Sequence, residues 1–276
     1  MAQIDELTPG RELDNAELCE TFLCGPQGGM RRAHRTNALV LICNHVDSIY
    51  DDRWIEGVLH YTGMGQSGDQ SLSFMQNRTL ADSGSNGVHV HLFEVHQPRR
   101  YTYAGEVGLA GVPYSESQPD QTGQLRQVWV FPLRPTSGAA LLLPAAVLAQ
   151  AASEKSRRAR RLTDAEIAMK AVQSGNQIVG ARPAVSQQFQ RNPWVAEHAK
   201  RRSDGRCELC KEPAPFTSPG GEPYLEVHHI KWLAHGGADT IENTVALCPN
   251  CHRRMHIVRS DDDAEKLTSA ADPTAQ

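Results

Sequence analysis

Short apolar or alternating runs mark the chain from about residue 28 to 134. They are ALVLIC (38–43), VLHYTG (58–63), GVHVHLFEV (87–95), RYTYAGEV (100–107) and QVWVFPL (127–133). Clusters of Gly, Asp, Asn and Pro separate them, as turns separate strands. The alternation in VHVHLFEV predicts a strand with one buried face. Many short strands without intervening helices point to a barrel or a sandwich. The pattern changes after Pro135. Residues 139–173 are rich in Ala, Leu, Arg, Glu and Lys, which predicts helices. Thr163 and Glu166 form a capping box that opens the second of these, and Gly175 is its stop. The stretch 175–191 carries Gln, Gly and Pro and reads as a linker. Asn192-Pro193 then starts a further helix, with Gly205 near its end. The polar N-terminal residues predict a frayed segment or short helix, and the last residues, rich in Asp, Ala and Ser, a disordered tail.

A chain of 276 residues has room for two domains and a linker, each with its own core. Hydrophobic content of 39% and charged content of 22% are those of a globular protein. The longest apolar stretch, Ala139–Ala152, is interrupted by Pro144 and is too short to cross a bilayer, so no membrane partner is expected. The N-terminus lacks a basic start and an apolar run, which makes a cytoplasmic location the default.

Net charge is −4, which taken alone argues against a nucleic-acid partner. Its distribution argues the other way. KSRRARR (155–161) holds five basic residues in seven; Lys200, Arg201, Arg202 and Arg206 precede the C-terminal cysteines, and Arg253, Arg254 and Arg259 follow them. A phosphate backbone senses such local charge.

Seven cysteines is an odd count, unlike a closed disulfide framework. Cys19, Cys24 and Cys43 are scattered and read as ordinary buried thiols. The other four form two C-x-x-C pairs, Cys207/Cys210 and Cys248/Cys251, with 37 residues between them. Each C-x-x-C turn aims two thiolates at one centre, and two turns complete a closed structural Zn2+ site. Between and after them runs LEVHHIKWLAHGGADTIENTVALCPNCHRRMH (225–256). On a strand, His228 and His229 face opposite ways, so one can ligate a metal while the other acts on a water. A helix from Pro249 puts His252 and His256 at i and i+4 on one face. With His228 they make three protein ligands and leave coordination open for water and a phosphate oxygen, as a catalytic site requires. Three histidines suit transition metals, and Mg2+ or Mn2+ also serve in single-metal sites. His235 reads as an exposed loop histidine.

These residues resemble the HNH endonuclease family over roughly 193–258. The resemblance implies a β-hairpin and one helix around a divalent ion. It makes His229 the general base, a role suited to a group that titrates near neutrality. Asn243 would hold the loop and orient that base.

A second resemblance lies upstream. Tyr61-Thr62-Gly63, Asp69-Gln70, Asn77-Arg78-Thr79-Leu80 and Val88-His89-Val90, with GGMRRAHRTNALVLI as an entry strand, resemble the SRA domain, a PUA-like curled β-barrel that reads modified cytosine. The resemblance implies base flipping into a pocket. Tyr61 would stack on the base with Thr62 beside it, although an arbitrary barrel tyrosine is more often core. The carboxylate that reads the exocyclic amine maps to CNHVDSIYDD, with Asp47 first and His45 second. Arg31, Arg32, Arg35 and Arg78 are the candidates for phosphate contacts, and Trp54 and Trp129 read as core.

The expected fold is therefore α+β. The segments are 1–24, an N-terminal segment; 25–135, an SRA-like DNA-reading barrel; 136–190, a helical linker; 191–260, an HNH domain with a four-cysteine zinc site; and 261–276, a disordered tail. The expected function is modification-dependent cleavage of double-stranded DNA carrying 5-methyl- or 5-hydroxymethylcytosine. One site cuts one strand, which favours a homodimer. The rivals are an HNH nuclease indifferent to modification and a non-catalytic reader of modified DNA.

Overall fold

The structure, a computed structural model, describes residues 3–46, 50, 52–120, 122–174 and 180–272. It divides into two units, Met1–Ser186 and Gln187–Gln276. The α+β organisation expected from the sequence is present: a sheet-built first unit and a smaller second unit of hairpin and helices.

The first unit is built on one 9-stranded sheet. Its strands are β1 (Glu12–Leu13), β2 (Met30–Ala33), β3 (Ala38–Asn44), β4 (Arg53–Ile55), β5 (Val58–Thr62), β6 (His89–Gln97), β7 (Arg100–Leu109), β8 (Tyr114–Pro119) and β9 (Leu125–Pro135). The order is β2-β3-β6-β7-β9-β5-β4, with β1 added to β7 and β8 to β9. Among the described residues of this sheet only β3 and β6 run parallel; its other pairings are antiparallel. Helix α2 (Met75–Ala81) interrupts the strand succession, where no helix was expected. Polar residues dominate it, and Asn77 is what anchors it: its amide donates to the carbonyls of Met64 and Ser71.

The alternation along β6 does not give one wet face. Val90 and Leu92 enter one core with Leu39, Leu41 and Tyr61, while Phe93 and Val95 enter a second with Val40 and Ile42. The second face is covered by the N-terminal segment, for which a frayed stretch or a short helix was expected. There α1 (Asn15–Phe22) is capped by Asp14, which accepts from Ala16 N and Glu17 N, and it buries Leu18 and Phe22. The region read as a linker is ordered in part against this unit. Helix α3 (Ala145–Ala159) buries Ala151, and α4 (Asp164–Ser174) opens with the predicted Thr163/Glu166 box. Strands β10 (Leu143–Pro144) and β11 (Ala184–Val185) pair in parallel. The predicted stop, Gly175, lies outside the described residues.

In the second unit, α5 (Pro193–Arg202) starts on Asn192, whose side chain accepts from Trp194 N at 3.0 Å. Strands β12 (Glu226–His229) and β13 (Thr244–Leu247) form an antiparallel hairpin, followed by α6 (Pro249–Ile257). Residues 261–271 are not a disordered tail. They form α7 (Asp261–Ala271), capped by Ser260, with three aspartates in its first turn and Leu267 and Ala271 buried against Leu247 and its neighbours. The acidic run that suggested disorder is favourable at a helix N-terminus, and the apolar spacing of Ala264, Leu267 and Ala271 supplies a packing face. Among the described residues no helix is long and apolar enough to cross a membrane.

Candidate metal centre and DNA-reading unit

The hairpin and α6 converge three imidazoles. The ligand atoms of His228, His252 and His256 lie within 4.8 Å of one another. Strand β12 supplies His228, and the first two turns of α6 supply the other two at i and i+4. His252 Nε2 and His256 Nε2 are 3.1 Å apart. His228 Nε2 is buried and has no hydrogen-bond partner. Burial, then the neighbouring His252 and His256, pull the His228 pKa down to about 4, so it is a neutral nitrogen donor at physiological pH. An unpartnered neutral nitrogen aimed at two others fits a divalent ion, which would supply the missing partner. Glu226, on the same strand, lies 2.5 Å from His252 Nδ1 and fixes that ring with Nε2 inward.

His229 turns the opposite way, as strand periodicity requires. Its Nε2 sits 2.8 Å from Asp239 Oδ1. A proton on Nε2 leaves Nδ1 as the acceptor. The bond from His229, then the Asn192 N–H, hold the Asp239 carboxyl below its usual range. Asn243 makes no hydrogen bond to His229. Its Oδ1 accepts from Lys231 N at 2.8 Å, and its Nδ2 donates to Lys231 O and Ala238 O, so it clips the loop that carries Asp239. The loop turns at Gly236, in the left-handed region at φ 74°, and a Cβ on Gly237 would collide with the Lys231 carbonyl. His235 stacks on Trp232 in this loop. A cavity of about 200 Å³ beside the histidines is lined by His228, His229, His252, His256, Trp232 and Arg191. Arg191, Asp239 and Glu226 were not singled out from the sequence, because they belong to no short spacing pattern and become relevant only when the loops close.

The four cysteine sulfurs also converge within 4.8 Å, with Cys210 Sγ and Cys248 Sγ 4.0 Å apart. Burial would raise the Cys207 thiol, but the N–H groups of Cys210, Cys248 and Leu209 outweigh it and bring the pKa down. Burial and the nearby Cys248 push Cys251 up. Four thiols this close fit Zn2+, which would hold them all as thiolates. The centre is braced by a buried Arg202–Glu208 fork (2.8 and 3.2 Å), and Glu208 also accepts from Ala246 N on β13.

The first unit departs further from expectation. Tyr61 is 3% exposed and its hydroxyl donates to Gly29 O at 2.8 Å, so the ring is part of the core rather than an open stacking platform. Thr62 is buried; its N–H donates to Asp52 Oδ1 at 2.8 Å and its hydroxyl faces Gln118. Asp52 thus stands beside the Tyr61-Thr62 pair; Asp47 lies outside the described residues. His45 is 2.9 Å from the buried carboxylate of Glu94. Two of the four arginines assigned to phosphates serve the fold instead. Arg31, 6% exposed, donates to Gly28 O and Asn15 Oδ1, tying β2 to α1. Arg32 donates to Ala33 O, Ala38 O and Asn37 Oδ1, closing the β2–β3 turn. Both sit on a strand whose neighbours leave carbonyls to satisfy. Arg35 is exposed, and Arg78 is exposed with a loose pairing to Asp82 at 3.6 Å.

Comparison with known proteins agrees with this geometry. The model of the ScoMcrA-like SRA domain matches residues 9–155, more than half of the chain. The chain belongs to the ScoMcrA-like SRA-domain family. The HNH endonuclease model matches residues 207–257, which hold the histidine cluster and all four converging cysteines. This family member therefore carries an SRA-like region followed by an HNH region. Over 72 residues, 26% of each protein, it is 53% identical to the type IV methyl-directed restriction enzyme EcoKMcrA of Escherichia coli (strain K12). The chain thus matches about a quarter of that relative's length. Among solved structures, the type IV phosphorothioation-dependent restriction endonuclease ScoMcrA aligns over 97% of this chain and 55% of its own, at 19% identity and a TM-score of 0.41. The modification-dependent TagI restriction endonuclease aligns over 91% and 78%, at 19% identity and a TM-score of 0.35.

Proposed function

We propose that this SRA–HNH chain is a modification-dependent DNA endonuclease. Its first unit selects DNA carrying a modified cytosine, extruded from the duplex, and its second hydrolyses a phosphodiester bond. The observation that carries the catalytic half is the pairing of two differently directed histidines on β12. His228 joins His252 and His256 in a cluster with an unfilled nitrogen, while His229 is held by Asp239.

His228, His252 and His256 would hold the divalent ion, Mg2+, Mn2+ or another transition metal, and Glu226 orients His252 behind it. That ion supplies stabilisation of the charge that develops on the phosphate and the leaving oxygen. His229 takes the proton of the attacking water at Nδ1, and Asp239 stabilises the imidazolium so formed. Asn243 keeps Asp239 in place by clipping its loop. Arg191, lining the same cavity, would donate to two oxygens of the scissile phosphate. Cys207, Cys210, Cys248 and Cys251 hold the structural Zn2+. A single site cuts a single strand, so a double-strand break needs two chains, which favours a homodimer on DNA.

The test is cleavage of matched plasmids bearing cytosine, 5-methylcytosine or 5-hydroxymethylcytosine with each divalent ion. Cutting of a modified plasmid alone is expected, and equal cutting of all three would sink the reading half. His229→Ala should abolish cutting and retain binding; normal cutting by that variant would refute its role as base.

A further inference from the structure

Trp232 is a wall shared by two cavities of the second unit. One is the cavity beside the metal-binding histidines, where the Trp232 ring centre is 4.9 Å from that of His256. The other, of about 470 Å³, is lined by Lys231, His235, Met255, Arg259 and Asp261 besides Trp232. No step of the hydrolysis uses this second cavity. Arg259 is held in it by three constraints. Its backbone lies in the left-handed region at φ 55°, unfavourable for a residue with a Cβ, where the chain leaves α6 and turns toward Ser260, the cap of α7. Its Nε donates to His256 O at 3.3 Å, and its guanidinium carbon lies 4.5 Å from the centre of the Trp232 ring.

The side chain is fixed, yet its charge is unanswered. Arg201, Arg202 and Arg254 pair with Glu197, Glu208 and Asp263. Among the described residues Arg259 has no ion pair, not even with Asp261 of the same lining, and its terminal nitrogens have no hydrogen-bond partner. Lys231, exposed on the same cavity, has no ion pair either. An arginine that meets a carboxylate braces a fold. One laid on an aromatic shelf with its donors unused is preorganised for an oxyanion arriving from outside. His256 ties the two cavities together: its ring belongs to the metal-binding cluster and its carbonyl anchors Arg259. The anion is therefore received one residue away from the scissile phosphate, and a DNA strand carries its phosphates at short, regular intervals.

Resting on the endonuclease half of the proposed function, we propose that Arg259, held on Trp232 and joined by Lys231, grips a phosphate of the cut strand that neighbours the scissile one. Trp232 is then a positioning residue, and the grip sets which bond of the strand lies over the metal-binding histidines.

The experiment uses the full chain and a labelled duplex whose cut position has been mapped, remade with a neutral methylphosphonate at one flanking phosphate at a time. At one flanking position the parent should lose about tenfold or more in kcat/KM. Arg259→Gln, checked for folding by its thermal melt, should be slower by a similar factor on the all-phosphate duplex and lose nothing further at that position. The log–log salt dependence of its DNA binding should be shallower by about one. Trp232→Phe, which keeps a shelf, should respond to the methylphosphonates as the parent does, and Trp232→Leu as Arg259→Gln does. A parent that cuts no duplex with any divalent ion sinks the endonuclease function and this inference with it. A parent that cuts, with every flanking methylphosphonate costing it and Arg259→Gln alike, overturns the inference alone. So does a difference confined to the scissile phosphate, which would give Arg259 to the metal centre. If Arg259→Gln does not fold, Lys231→Gln decides by the same comparison.

Discussion

Replacing Asp239 by Asn tests the proton-handling arrangement most sharply. The carboxylate lies 2.8 Å from His229 Nε2, with Oδ2 held by Asn192 N–H at 2.5 Å, so its geometry is fixed from both sides. The substitution keeps shape and removes charge. A hydrogen bond between charged groups contributes about 1.5–3 kcal/mol, and the imidazolium exists only as the water is deprotonated. That loss falls on the transition state, so kcat should drop roughly tenfold to a hundredfold at about 1.4 kcal/mol per tenfold. Affinity for DNA should not change. Because Asp239 is held below its usual range, it stays charged down through ordinary carboxylate pH, and the deficit should persist across about pH 5–8. Asp239→Glu should recover part of the rate if charge is what matters. The assay is single-turnover cleavage of a labelled duplex over that pH range, with binding measured in parallel. Cleavage within twofold of the parent, or a loss that appears as weaker binding, would refute the assignment.

Three further outcomes follow from the structure. Chelation of the Zn2+ proposed at the four cysteines should unfold the second unit and leave the first intact, because structural zinc contributes on the order of 10 kcal/mol in such small regions; two separated transitions by calorimetry, and zinc analysis of the chain, check it. His91 is buried beside the Tyr103 hydroxyl, and burial lowers its pKa from 6.5 to about 4. A depressed histidine resists protonation when folded, so stability is full above the unfolded value and falls between pH 6.5 and 4, by about 3 kcal/mol in all; His91→Gln should flatten that part of the pH–stability curve of the first unit. Leu267→Ala should destabilise the second unit by about 2–5 kcal/mol, since the side chain is wholly buried; no change in its melting point would mean that α7 does not pack as described.

What the sequence made legible depended on spacing. The two C-x-x-C pairs, the adjacent histidines on a strand and the i, i+4 pair on α6 are local patterns, and the fold brings together the atoms that those patterns aim at. The strands β3, β5, β6, β7 and β9 were equally readable, because each is an apolar run bounded by turn residues. Tertiary facts were not readable. β8, with the sequence YSESQP, carries no apolar signal and exists because β9 pairs with it. Arg31 and Arg32 read as phosphate contacts, yet they satisfy carbonyls up to several residues away. Asp239, Glu226 and Glu94 gain their partners through chain closure, at separations from 10 to 88 residues. The tail was misread because three consecutive aspartates look solvated until Ser260 caps them into a helix.

In the proposed function the first unit decides which DNA the second unit cuts. Matched plasmids differing only in cytosine modification test it directly, cleaved under one metal and one salt condition. Cutting of a modified plasmid, with the unmodified one intact and both spared by His229→Ala, is the predicted result. Equal cutting of modified and unmodified DNA would contradict it.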